Sequence, residues 1–114
     1  EVYENWMKYL GEVCSANQAH FKIVDYKKPY RTDEDAMLVR GCLQELKDMG
    51  LSDRTITQSS TNEASIFTRL GIDCVCFGPG KREDNMHTPH EHVALEDLNK
   101  ATEFYKRIIE RFCL

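Results

Sequence analysis

Leu70-Gly71-Ile72-Asp73-Cys74-Val75-Cys76-Phe77-Gly78-Pro79-Gly80 is the stretch on which the reading of the fold turns. Gly71 closes what precedes it, and residues 72–77 run almost without a polar side chain into a Gly-Pro-Gly turn. A short apolar run bounded by turn residues reads as a strand buried on both faces. Cys74 and Cys76 stand two apart and so share one face of it, where thiols serve as small buried hydrophobes.

Working outward, residues 63–70 read as a short helix and residues 55–58 as a short β-branched strand. Farther upstream, Thr32 and Asp35 resemble a capping box, and Ala36, Val39, Leu43 and Leu46 supply an apolar stripe that stops before Gly50. Downstream, residues 95–112 carry Leu98, Ala101, Tyr105, Ile108, Ile109 and Phe112 on one side of a last helix. From Thr32 the order is therefore helix, strand, helix, strand, helix. That order predicts an α/β fold, a mainly parallel sheet flanked by helices, with the loops after both strands opening on one edge where ligands collect.

The opening residues read differently. Val2, Trp6, Tyr9, Leu10 and Val13 make residues 1–15 an amphipathic helix that must dock on something, and residues 20–26 alternate as a half-exposed strand. The Lys27-Lys28-Pro29-Tyr30-Arg31 segment is a linker, dividing the chain into residues 1–27 and residues 28–114.

The 114 residues allow one modest core, and 41% hydrophobic with 30% charged residues is ordinary for a soluble domain. The chain opens at Glu1 with no leader and no apolar run of membrane-spanning length, so it reads as a soluble piece of something longer with no membrane partner. A net charge of −4 with interspersed signs argues against nucleic acid. Five scattered cysteines without a Cys-x-x-Cys pair fit a reducing cytoplasm.

Candidate chemistry concentrates after the apolar run, where His87, His90, Glu91 and His92 follow Gly80. Neutral imidazole is the commonest protein ligand for transition metals. Three histidines in six residues suggest a local zinc cluster. Pro89 prevents a regular helix there, and the alternative is a solvated loop whose imidazoles cap turns. Ser60, Thr61 and Asn62 precede the short helix and either cap it or, with its free N–H groups, accept a carboxylate. A Gly-x-Ser-x-Gly elbow, a phosphate loop and a His-Glu-x-x-His helix are all missing from the sequence.

Three segments taken in order carry a resemblance: Ser60-Thr61-Asn62-Glu63-Ala64, then Leu70 through Gly80, then Met86-His87-Thr88-Pro89-His90-Glu91-His92-Val93 before an amphipathic helix. The chain resembles the carboxyl-terminal portion of the dinuclear-zinc amidohydrolases and exopeptidases that include acetylornithine deacetylase, succinyl-diaminopimelate desuccinylase and glutamate carboxypeptidase. The resemblance implies a catalytic domain with a parallel sheet, preceded by a helix-strand remnant of a ferredoxin-like lid that often makes a homodimer. It implies two zinc ions in the whole enzyme, with cobalt a possible substitute, and makes His87 a ligand of one of them. It places Ser60 and Thr61 in the turn that contacts the substrate carboxylate, and Gly78 in a loop lining the same pocket.

The substrate so implied is an N-acyl amino acid or small peptide whose amide bond is hydrolysed. In the family the position of His90 is commonly Asn or Asp and that of His92 commonly Tyr, so no metal role passes to either. The family's His-x-Asp pair, bridging aspartate and Glu-Glu pair would lie upstream, so no catalytic residue is assigned here and this chain alone is expected to be inactive. The competing reading is a non-catalytic binding or dimerisation module.

Overall fold

The structure is a computed structural model that describes residues 1–58 and 62–114. Its elements are four helices: α1 (Val2–Ala16), α2 (Met37–Asp48), α3 (Ala64–Arg69) and α4 (Leu95–Cys113). Among the described residues there is no strand, which corrects the expected α/β fold with its parallel sheet. Residues 20–26, 55–58 and 72–77 have no regular secondary structure and form no ladder with one another.

The physical reason lies in where each element finds its hydrogen bonds. A helix closes its bonds onto its own residues four positions back, so an amphipathic segment can form it alone, whereas a strand needs a second segment in register beside it. The apolar run is accordingly not buried on both faces. Ile72 is 52% and Val75 38% exposed, Cys76 is exposed and Cys74 only half-buried.

Among the described residues one pair of elements packs together, α2 and α4. Cys42 and Leu46 of α2 pack with Phe104 of α4, which is 2% exposed, and Val39 and Ala101 are buried as well. Cys42 is the thiol that acts as a buried hydrophobe, and desolvation pushes its pKa up. Gly41 lets the helices close: a Cβ there would stand 2.4 Å from the Phe112 ring. Beside the seam Glu45 accepts from Nε of Arg111 at 2.8 Å and faces Arg107 at 3.8 Å, a partly exposed cluster that orients the helices more than it stabilises them.

Each end of α2 shows how local chemistry sets a boundary. At its carboxyl end Gly50 adopts φ +66°, and the Leu51 N–H returns to the Leu46 carbonyl at 2.8 Å while the Leu51 side chain packs on the core. At its amino end the expected capping box is not formed. Ala36 is the N-cap without a side-chain bond, Asp33 accepts from the Asp35 N–H at 2.9 Å, and Thr32 is engaged elsewhere.

α1 buries none of its residues; Trp6 stays 58% exposed and Tyr9 55%. Its nearest aromatic company outside the helix is Tyr26, whose ring lies 4.4 Å from that of Tyr3. The radius of gyration, 19.0 Å, exceeds the roughly 13 Å of a compact domain of this length, as expected when most large apolar side chains lack a shared core.

Phe104 fills the seam, so Phe104→Ala should cost about 3–5 kcal/mol and leave α2 and α4 unpaired. Urea unfolding followed by far-ultraviolet circular dichroism would measure it. A loss below about 1 kcal/mol would mean that this pair is not the stabilising unit.

Candidate functional site

Two clusters of polar side chains flank the apolar run, and both begin with main-chain groups that no ladder satisfies. In the first, Thr32 Oγ1 donates to the carbonyl of Cys74 and accepts from the Cys74 N–H at 3.2 Å. One hydroxyl thereby serves both main-chain groups of a residue that a neighbouring strand would otherwise hold. Beside it, Asn62 Nδ2 donates to Cys76 Sγ at 2.8 Å, and the Tyr30 hydroxyl lies 3.0 Å from the same sulfur. Asn62 Oδ1 accepts from the Ala64 N–H at 3.0 Å, an Asx turn that leads into α3.

Charge is held in the same place. Lys27 bridges to Glu63 at 3.2 Å, and the Glu63 carboxyl lies below its usual range, first through its own backbone N–H and then through Lys27. Burial pushes the Cys74 thiol up, with Cys76 and Asp73 adding to the effect. An open hollow lined by Leu38, Asn62, Glu63, Phe67 and Val75 lies along this cluster. Neither His87 nor Gly78 lines it.

The second cluster is the loop from Gly78 to α4. Tyr105 donates its hydroxyl to the Phe77 carbonyl at 2.6 Å, and the Phe77 ring stacks on Phe104 at 4.1 Å, so the loop departs from the α2–α4 core. Gly78 is exposed, with open space where a Cβ would stand. Gly80, at φ +95°, faces the returning leg, where a Cβ at its position would stand 3.5 Å from the Val93 side chain. Between the legs, Asn85 Nδ2 donates to the carbonyls of Lys81 and His92, and Asn85 Oδ1 accepts from the His92 N–H.

His87 sits at the tip of that loop with φ +63°, exposed, its N–H bonded to Glu91 Oε2 at 3.0 Å. Among the described residues nothing hydrogen-bonds its ring. His92 instead turns Nδ1 to the His90 carbonyl at 2.7 Å. Among the described residues no group of three or more His, Cys, Asp or Glu side chains could hold a metal ion, so the local three-histidine cluster is not formed. The donor set present fits one ligand position, an exposed imidazole on a braced backbone, and not a complete shell.

Of the residues singled out from sequence, Ser60 and Thr61 lie outside the described residues. Asn62 and Cys76 come together, so the segment before α3 meets the end of the apolar run. The sequence places Tyr30 only in a linker and Thr32 only at a helix cap, and assigns Asn85 no role, whereas all three hold these clusters together. For Asn85 a signal existed: an Asn in a polar, Gly- and Pro-punctuated stretch is a turn former that bonds nearby backbone.

The family described as Peptidase family M20/M25/M40 matches residues 6–111, and the chain belongs to that family of hydrolases. A protein of Thermococcus kodakarensis assigned as a LysW-lysine/LysW-ornithine hydrolase is 30% identical over 91 residues, 79% of this chain and 26% of that protein. A succinyl-diaminopimelate desuccinylase of Nautilia profundicola is 27% identical over 101 residues, 82% of this chain and 27% of that protein. An uncharacterized metallohydrolase of Methanocaldococcus jannaschii is 26% identical over 109 residues, 95% of this chain and 26% of that protein. The chain thus spans about a quarter of the length of these relatives. No solved structure matches it significantly. No helix among the described residues is long and apolar enough to cross a membrane.

The hydrogen bond to Cys76, with partial burial adding to it, raises the Tyr30 phenol above its ordinary range. A raised pKa means that the folded state favours the protonated phenol, so this stabilisation is complete below the ordinary phenol pKa and is lost as pH climbs through the raised one. Cys76→Ala should therefore bring Tyr30 ionisation to lower pH, read from its ring carbon resonances across an alkaline titration. An unchanged Tyr30 midpoint would show that the sulfur does not hold the phenol.

Proposed function

We propose that this chain is the carboxyl-terminal part of a metal-dependent hydrolase that cleaves the amide bond of an N-acyl amino acid or small peptide. The observation that carries the reading is His87: a family match over residues 6–111 coincides with an exposed imidazole whose ring has no partner among the described residues, on a loop tied by Glu91 and Asn85. His87 would hold one of two zinc ions through a ring nitrogen, with cobalt able to replace zinc. Two such ions, when bound, would polarise the amide carbonyl and lower the pKa of a water between them.

Everything else asked of this chain is positioning. Glu91 holds the His87 main chain and leaves the ring free, which suits a carboxylate that supports a ligand without being one. The loop at Gly78 and the turn at Ser60 and Thr61 would meet the substrate's carboxylate, the turn through hydroxyl and backbone donors of the kind that bind anions ahead of a helix. Support for the substrate class comes from relatives named for LysW-lysine or LysW-ornithine hydrolysis and for desuccinylation. Residues 1–27 would belong to a lid and residues 28–114 to the catalytic part. The uncovered α1 stripe, with Trp6 58% exposed, favours a homodimer through the lid, and the unpaired cysteines suit the cytoplasm.

In a full-length enzyme carrying this chain, His87→Ala should remove one zinc per protomer and lower kcat by several orders of magnitude, whereas His90→Ala and His92→Ala should keep both ions. The 114-residue chain with added zinc should not hydrolyse an N-acetyl amino acid, because one ligand and no assigned base cannot complete the chemistry. Metal content per protomer is the deciding readout. Equal zinc loss in all three variants would replace this reading with a local histidine cluster.

A further inference from the structure

We infer that Asn85 is the positioning residue for His87, fixing the backbone from which the imidazole is presented. The inference rests on the reading of His87 as a metal ligand and goes beyond it by naming what aims the ligand. Between Lys81 and His92 the chain reverses, and two residues near the tip, Asp84 and His87, adopt φ of +55° and +63°. Side chains other than glycine occupy that region at a cost, so the surrounding structure must hold it.

Asn85 supplies the hold. Its Nδ2 reaches the Lys81 carbonyl at 2.9 Å and the His92 carbonyl at 2.8 Å, and its Oδ1 takes the His92 N–H at 2.9 Å. Its own carbonyl accepts from Thr88 Oγ1 at 2.8 Å. One carboxamide therefore ties the departing leg to the returning leg while its main chain ties down the residue after His87. Only a side chain with two donors and an acceptor can make all three amide contacts. An aspartate of the same shape has no donor and would point negative charge at two carbonyl oxygens. Glu91 adds a second tie by accepting the His87 N–H at 3.0 Å, while the His87 ring stays free of that bond.

A purely structural loop brace would affect thermal stability alone; a positioning brace must also change metal affinity. In a full-length enzyme carrying this chain, Asn85→Asp should weaken one zinc site by roughly 10–100-fold in chelator competition, the range seen when a ligand's support is removed. Activity should return as zinc is raised, with KM unchanged. If His87→Ala loses one zinc and Asn85→Asp binds both as tightly as the parent, the positioning role is overturned and the ligand reading stands. If His87→Ala keeps both ions, the ligand reading falls and this inference with it.

A variant-free check guards against a misfolded Asn85→Asp. In the metal-free 114-residue chain the His92 amide, bonded to Asn85 Oδ1, should exchange with solvent deuterium roughly tenfold or more slowly than its intrinsic rate. Exchange at the intrinsic rate would show that the brace is not there to position anything.

Discussion

The contact on which the rest depends is Phe77 against Phe104. Phe104 is buried in the seam between α2 and α4, and its ring is the surface on which the otherwise unladdered run 72–77 comes to rest. The Tyr105 hydroxyl adds a bond to the Phe77 carbonyl and keeps that end from sliding. Because α4 starts at Leu95, the loop from Gly78 onward leaves from α4's middle and returns to α4's amino end. Its span is set by one helix, so a histidine at its tip has a defined base.

Away from that contact, single polar side chains do the work of missing ladder partners. Thr32 serves both main-chain groups of Cys74, and Asn85 serves both of His92. The Thr32 brace joins residues 42 positions apart and the Asn85 brace residues 7 apart, and in partly exposed surroundings each bond is worth about 0.5–1.5 kcal/mol. They explain how residues 72–77 and 81–92 hold a shape without a sheet. They also explain why the candidate groups sit in two places, with Tyr30, Asn62 and Cys76 around one brace and His87 and Glu91 around the other.

The helices are legible in the sequence because their signals are local: the α1 stripe from Val2, the Gly50 and Gly71 stops, and the long amphipathic α4 all correspond to formed elements. The strands are not, since an apolar run such as Ile72 to Phe77 announces burial without supplying the neighbour that a ladder requires. Phe104 is hard to single out from sequence for a related reason. Tyr105 sits beside it on the helix and fits the apolar spacing, yet Tyr105 is 47% exposed and gives its hydroxyl to a carbonyl, while Phe104 takes the seam. The Thr32 capping box failed because the same hydroxyl had a better use 42 positions away, which no local pattern reveals. Family membership was legible because it resides in the order of short segments, which survives without any knowledge of packing. The placement of Ser60 and Thr61 falls outside the described residues.

The central claim is that a loop anchored on Phe104 and braced by Asn85 presents His87 to a metal. The most direct test is anomalous diffraction at the zinc edge from crystals of a full-length enzyme containing this chain. The account predicts a zinc peak about 2.0–2.1 Å from a ring nitrogen of His87, with Asn85 still bonded across the loop. Two bound zinc ions with no peak within coordination distance of His87 would contradict it.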